Sequence, residues 1–235
     1  MKKMIIASTS TLFGESYLAY LLPELQDHFE HASELVFVPY ARPGGISHEG
    51  YTELVRKAFA DFSLKVTGLH EFESPVEGIA RADAIFIGGG NTFVLLDALY
   101  REELLQPVRD AVLSGTPYLG TSAGSNVTGP NIMTTNDMPI VLPPSLEALG
   151  LIPFNLNPHY LDPDPTSRHQ GESRATRIKE FHAFNTQAVI GLREGSWIEV
   201  RGNEMHLRGP LSARFFRPGE QPFEVETGTE LHTFL

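Results

Sequence analysis

An α/β fold with a mainly parallel sheet, covered by helices on both faces, is what this sequence predicts. Three observations predict it. Short apolar runs recur along the first two-thirds of the chain. Segments of helical period separate them. The runs are apolar throughout rather than alternating, which is the pattern of strands buried on both sides.

The elements follow in order. MIIAS reads as a buried strand, and SYLAYLLPELQDHF as a helix in which Pro23 is tolerable only near a break. ELVFVPYA is a second strand, followed by the helical YTELVRKAFADF. LKVTGLHEF is a third strand and ADAIFIGGGN a fourth. TFVLLDALYREELLQPVRDAVLSG is helical with a break near Pro107. TPYLGTSAG gives a fifth strand and a turn. After about Gly150 the pattern changes. FNLNPHY is a strand end, RATRIKEFHAFN a helix, and VIGLREGSWIEVRGNEMHLRG two strands around Gly202-Asn203. SARFFRPGE and EVETGTEL add short turn-separated strands, so β-hairpin additions are expected at the C-terminal end. No linker or repeat divides the chain, and residues 1–235 are expected to form one domain.

The 235 residues are 41% hydrophobic and 20% charged, ordinary for a soluble globular protein. With 29 acidic and 18 basic residues the formal net charge is -11. That argues against nucleic acid or an anionic membrane as partner, since both need a basic face. It also means that an anionic substrate needs a local cation. Cysteine is absent, which excludes disulfides, thiolate metal sites and a thiol nucleophile. The apolar run in MKKMIIASTS is too short for a signal-peptide core, and no run approaches membrane-spanning length. The expected compartment is the cytoplasm.

Two glycine turns carry the chemistry. IFIGGGNTF places Gly88, Gly89 and Gly90 at the C-terminal end of a strand, where open parallel sheets bind ligands. Phe93 breaks the dinucleotide pattern and the Walker lysine is missing. Phosphate binding by another pattern and backbone donors for an oxyanion both stand as functional readings, against a plain strand-to-helix turn. GTSAG fits the nucleophile elbow, in which serine sits on a tight strand-to-helix turn with its hydroxyl exposed. Together the turns can supply Ser122 as nucleophile and two oxyanion donors, from Ala123 and a glycine of 88–90.

A serine hydroxyl needs a base. Five histidines follow Ser122, and His159, after the stiffening Pro158, is the best placed on local grounds. His169 lies in the Pro-rich stretch LDPDPTSRHQGES, a loop of the length used for lids or binding, where it is a candidate binding residue. For the group that orients the base, Asp137 in TTNDMPI and Glu194 in GLREGSW both qualify, and spacing does not choose between them.

The blocks GGGNTF, GTSAGSN, TTNDMPI, NPHY, GESRATRI and IGLREGSW, in that order, resemble the peptidase E family of α-aspartyl dipeptidases. That family is also similar to cyanophycinases and to the flavodoxin-like, class I glutamine amidotransferase fold. The resemblance implies a serine dipeptidase with Ser122, His159 and Glu194 as its triad, and oxyanion donors at Gly90 and Ala123. It implies substrates with N-terminal aspartate, held by Arg174, with Arg168 and Arg177 as nearby rivals. Asn91, Thr92 and Asp137 are expected to bind the free amino group or line the pocket, and residues 161–173 to close over it. No metal or cofactor is implied, and a monomer or homodimer is expected. The alternatives are a cyanophycinase-like or other dipeptide specificity, and a non-catalytic module that binds an anionic metabolite.

Overall fold

A computed structural model of the chain describes residues 1–164, 166, 168 and 171–234. Among these residues eleven strands form two sheets. The larger sheet has the order β3-β2-β4-β5-β1-β8-β9. It comprises β1 (Lys3–Ala7), β2 (Glu34–Val38), β3 (Lys65–Gly68), β4 (Ala84–Ile87), β5 (Tyr118–Thr121), β8 (Trp197–Arg201) and β9 (Glu204–Arg208). β1 to β5 pair in parallel, so their carboxyl ends share one edge. β8 and β9 join antiparallel beside β1. The smaller sheet runs β11-β10-β7-β6, from β6 (Asn155–Pro158), β7 (Val189–Leu192), β10 (Ala213–Phe216) and β11 (Phe223–Val225).

The continuous apolar strands bury both faces. In β2, Val36 and Val38 enter one core cluster while Leu35 and Phe37 enter the other. Helices α1 (Leu22–His28) and α2 (His48–Ala58) cover the second face. Helices α3 (Pro75–Arg81), α4 (Thr92–Arg101), α5 (Leu105–Ser114) and the single turn α6 (Ala123–Asn126) are on the first. Helix α7 (Arg174–Phe181) packs Ile178 against the smaller sheet, beside Tyr160, Val189 and Phe216. No described helix is long and apolar enough to cross a membrane.

Four elements differ from the sequence reading. The first helix starts only at Leu22, because Pro23 fits its first turn but not an interior. The break before α5 falls at Glu102–Leu104, where Glu103 has φ 56°, and Pro107 lies inside the new first turn. Helix α3 was not anticipated, since seven residues with Gly78 in the middle show no period. Its start signal, Ser74 capping the Glu77 N–H before Pro75, was present. Finally, VIGLREGSWIEVRG is not one strand. The turn after Leu192, with Gly195 at φ 89°, sends β7 into the smaller sheet and β8 into the larger. That turn carries Glu194.

Candidate active site

The parallel strands end at one edge of the larger sheet, and the site is built there. β5 stops at Thr121, and Ser122 adopts φ 53° and ψ −107° before α6 begins. Few L-residues adopt this backbone, and such strained corners cluster at functional sites. The space explains the flanking glycines. A Cβ on Gly124 would lie 2.0 Å from the Ile87 carbonyl oxygen of β4, and one on Gly120 would lie 2.6 Å from the Gly124 oxygen. Helix α6 can therefore sit directly on the sheet. Ala7 at the end of β1 ties down the corner, its carbonyl accepting Ser122 N–H at 3.1 Å and Ser125 Oγ at 2.6 Å.

β6 ends at Pro158, and His159 follows, also at φ 53°. Its N–H donates to Ser8 Oγ at 2.9 Å, and Ser8 Oγ in turn donates to the Leu192 carbonyl of β7 at 2.7 Å. Asn136 Nδ2 holds the Pro158 carbonyl at 2.7 Å. The ring thereby reaches across to the elbow. His159 Nε2 lies 2.9 Å from Ser122 Oγ, and His159 Nδ1 lies 2.5 Å from Glu194 Oε1. A carboxylate only accepts, so Nδ1 carries the proton and Nε2 is free to take the serine hydroxyl hydrogen. Both side chains are partly open, at 38% and 47% exposure, so solvent and substrate can reach them.

Beside Ser122 the glycine turn comes close: a Cβ on Gly89 would stand 3.1 Å from Ser122 Cβ. Among the described residues neither Gly90 N–H nor Ala123 N–H has a hydrogen-bond acceptor. Such unpaired donors beside a nucleophile suit a developing oxyanion.

Asp137, the other acid considered for orienting the base, lies elsewhere. Its Oδ2 accepts from Thr92 N–H at 2.8 Å, Thr92 Oγ1 at 2.5 Å and Thr135 Oγ1 at 3.0 Å, at the start of α4. Asn91 caps the same helix through Phe93 and Val94 N–H, and its Nδ2 donates to the Met138 carbonyl. These side chains have much of their polar capacity already engaged, and Thr92 is completely buried.

Arg174 opens α7, part-buried, with no acceptor among the described residues. Desolvation and then the neighbouring Arg177 lower its pKa, while Asp137 opposes the shift. It lines a cavity of about 500 Å³ together with Arg177 and the acidic residues Asp162, Asp164 and Glu172. Among the described residues its guanidinium makes no hydrogen bond or ion pair, and Asp162 in the same cavity is held by Arg193, so the Arg174 fork can take a carboxylate ligand. Arg177 differs, standing 4.0 Å from Glu172, and Arg168 is exposed. His169 lies outside the described residues.

Ser8 and Asn136 escaped the sequence reading. Ser8 had one faint signal, as the first polar residue after a buried strand in IIASTS.

Comparison with known proteins follows the same lines. Residues 4–208 match the model for Peptidase family S51. The chain is 47% identical to "Peptidase E" of Streptomyces coelicolor, over 99% of this chain and 94% of that protein. It is 46% identical to "Probable alpha-aspartyl dipeptidase" of Drosophila melanogaster, over 100% and 97%. The solved structure of a peptidase from an acI-B1 Actinobacterium superposes with a TM-score of 0.74 at 18% identity, covering 98% of this chain and 96% of that one, and thus shares the fold.

Proposed function

This chain belongs to peptidase family S51 and is a serine-type dipeptidase; from that premise we propose that it hydrolyses dipeptides with N-terminal aspartate through an acyl-enzyme on Ser122. The observation that carries this reading is the unbroken hydrogen-bond chain Ser122–His159–Glu194 beside two unpaired N–H donors.

Ser122 Oγ attacks the peptide carbonyl as His159 Nε2 takes its proton. Glu194 keeps the Nδ1 proton in place and stabilises the imidazolium that forms. The Gly90 and Ala123 N–H groups receive the oxyanion, and one such donor is typically worth about 3–4 kcal/mol of barrier. His159 then protonates the leaving amine. Water enters, loses its proton to His159 and releases the aspartyl group from Ser122.

Charge selects the substrate. Arg174 takes the aspartate side chain, which offsets the repulsion of an anion by a protein of net charge -11. Asp137 Oδ1, which accepts none of the described hydrogen bonds, takes the substrate ammonium. Thr92, completely buried, and Asn91, whose amide caps α4 and holds the Met138 carbonyl, keep Asp137 in place instead of touching the substrate. The whole of residues 1–235 acts as one catalytic domain, because the nucleophile comes from one sheet and its base from the other.

A dipeptide panel with Ser122→Ala and Arg174→Ala tests this. Ser122→Ala should fold and lose at least about 10⁴-fold in Asp-Leu turnover; retained turnover would refute the nucleophile. Arg174→Ala should lose about 10²-fold on Asp-Leu and little on Ala-Leu. Equal losses on both peptides would refute its role in specificity.

A further inference from the structure

Tyr51 lies on α2, far in sequence from every residue given a role above, and it is completely buried. Its ring meets Phe37 edge-on at 4.8 Å. Its hydroxyl donates to the Gly89 carbonyl at 3.1 Å. Tyr17 donates to that hydroxyl at 3.3 Å, which leaves the proton of Tyr51 for Gly89. Arg42 Nε approaches the same carbonyl at 3.4 Å, and its guanidinium lies 4.3 Å over the Tyr51 ring.

The consequence follows from peptide geometry. A trans peptide is planar, so Gly89 C=O and Gly90 N–H point in opposite directions. Fixing the oxygen aims the hydrogen. The next residue is clamped too. Gly90 has φ 149°, a Cβ there would meet the Ala41 oxygen at 2.2 Å, and Asn91 N–H donates to that oxygen at 2.7 Å. Only rotation of the 89–90 peptide plane remains, and the two side chains on the Gly89 oxygen oppose it.

We infer that Tyr51 is a positioning residue that aims the Gly90 N–H at the oxyanion, with Arg42 as a second, weaker anchor on the same carbonyl. The inference rests on the reading of Gly90 as an oxyanion donor. Its distinctive consequence is kinetic: loss of the hydroxyl weakens binding of the tetrahedral species and leaves ground-state binding alone.

Tyr51→Phe keeps the ring packing and deletes one hydrogen bond. Three constants decide: Asp-Leu kinetics, inhibition by a boronic acid analogue of aspartate that forms a tetrahedral adduct on serine, and inhibition by free aspartate. Deleting an oxyanion donor costs about 10²–10³-fold in kcat, and misaiming one should cost about tenfold. The boronate should weaken by the same factor of about ten, while KM and aspartate inhibition shift by less than about twofold. Arg42→Met, nearer the surface, should show the same pattern at about threefold. If Tyr51→Phe fails to fold, Arg42→Met decides by the same readings. Unchanged kcat and boronate inhibition in a folded variant overturns the inference, and so does a loss carried by KM with boronate and aspartate weakening together. Ser122→Ala assayed in parallel separates the two readings. Turnover in that variant refutes the acyl-enzyme itself, whereas a dead Ser122→Ala beside a fully active Tyr51→Phe refutes only the role of Tyr51.

Discussion

Ser122, at the end of β5 in the larger sheet, and His159, at the end of β6 in the smaller one, share a φ of 53° but are held there by different means. Around Ser122 the backbone does the holding. Gly120 and Gly124 let α6 touch the sheet, the Ala7 carbonyl anchors the corner, and the donors proposed for an oxyanion are main-chain N–H groups. Around His159 side chains do it. Ser8 holds its N–H, Asn136 the preceding carbonyl and Glu194 its ring. The first half of the site is therefore held by main chain, with its turn legible in five residues even though β1 and β4 support it. The second is held by side chains from distant elements and has no such local signature.

The difference gives ways to break it. Glu194→Gln should have the largest effect. The amide no longer fixes the Nδ1 proton against a carboxylate, and kcat should fall about 10³-fold or more. Because Glu194 is half exposed, the denaturation midpoint should scarcely change. A drop in kcat below about tenfold would remove Glu194 from the role of orienting group.

Gly124→Ala should behave in the opposite way. Its Cβ would be 2.0 Å from the Ile87 oxygen, main chain that cannot swing aside. The cost should be about 3 kcal/mol of stability with activity falling in step, read from urea melts and Asp-Leu turnover of the soluble fraction. Wild-type stability in this variant would show that the elbow is slack, and the contrast between the two halves would be lost.

The smallest effect, reckoned per pH unit, concerns acid. His28 in α1 is buried, with Nε2 on the Tyr118 carbonyl of β5 at 3.1 Å. Desolvation first, then Lys3, lowers its pKa from 6.5 to about 3. Below about pH 6.5 the unfolded chain takes up a proton that the folded one refuses, so stability falls with pH by up to about 1.4 kcal/mol per unit until about pH 3. In the smaller sheet Glu224, hydrogen-bonded by Arg193 first and then by Arg214 and Ser212, is lowered from 4.5 to about 2. Its contribution is fully present above about pH 4.5 and is lost as pH falls through about 2. The contribution of His28 is thus lost before that of Glu224 as the pH falls. Melts from pH 7.5 to 4.5 should show a shallower slope in His28→Gln than in the wild type, and an unchanged slope would contradict the buried neutral state.

The legibility of the site in the sequence follows the same division. GTSAG and GGG could be read because each packs a strand end, a turn and a helix start into a few residues whose sizes and backbone freedom are local facts. The helix α3 was missed for want of length, and VIGL was misjoined because only its sheet partners show that it parts from the hairpin. Spacing left Asp137 and Glu194 equal as partners of the base. The ordered family resemblance favoured Glu194, and the geometry places Glu194, not Asp137, against His159.

By itself the sequence determined the alternation of buried strands and helices, the elbow at Ser122 and the need for a cation against a net negative charge. These depend on composition, period and steric size, which neighbouring residues settle among themselves. The tertiary structure alone decided that Ser8 holds His159 across 151 positions of chain and that Tyr51 reaches the Gly89 carbonyl across 38. A hydrogen bond needs its two atoms within about 3 Å, and no local rule fixes that distance between residues so far apart along the chain.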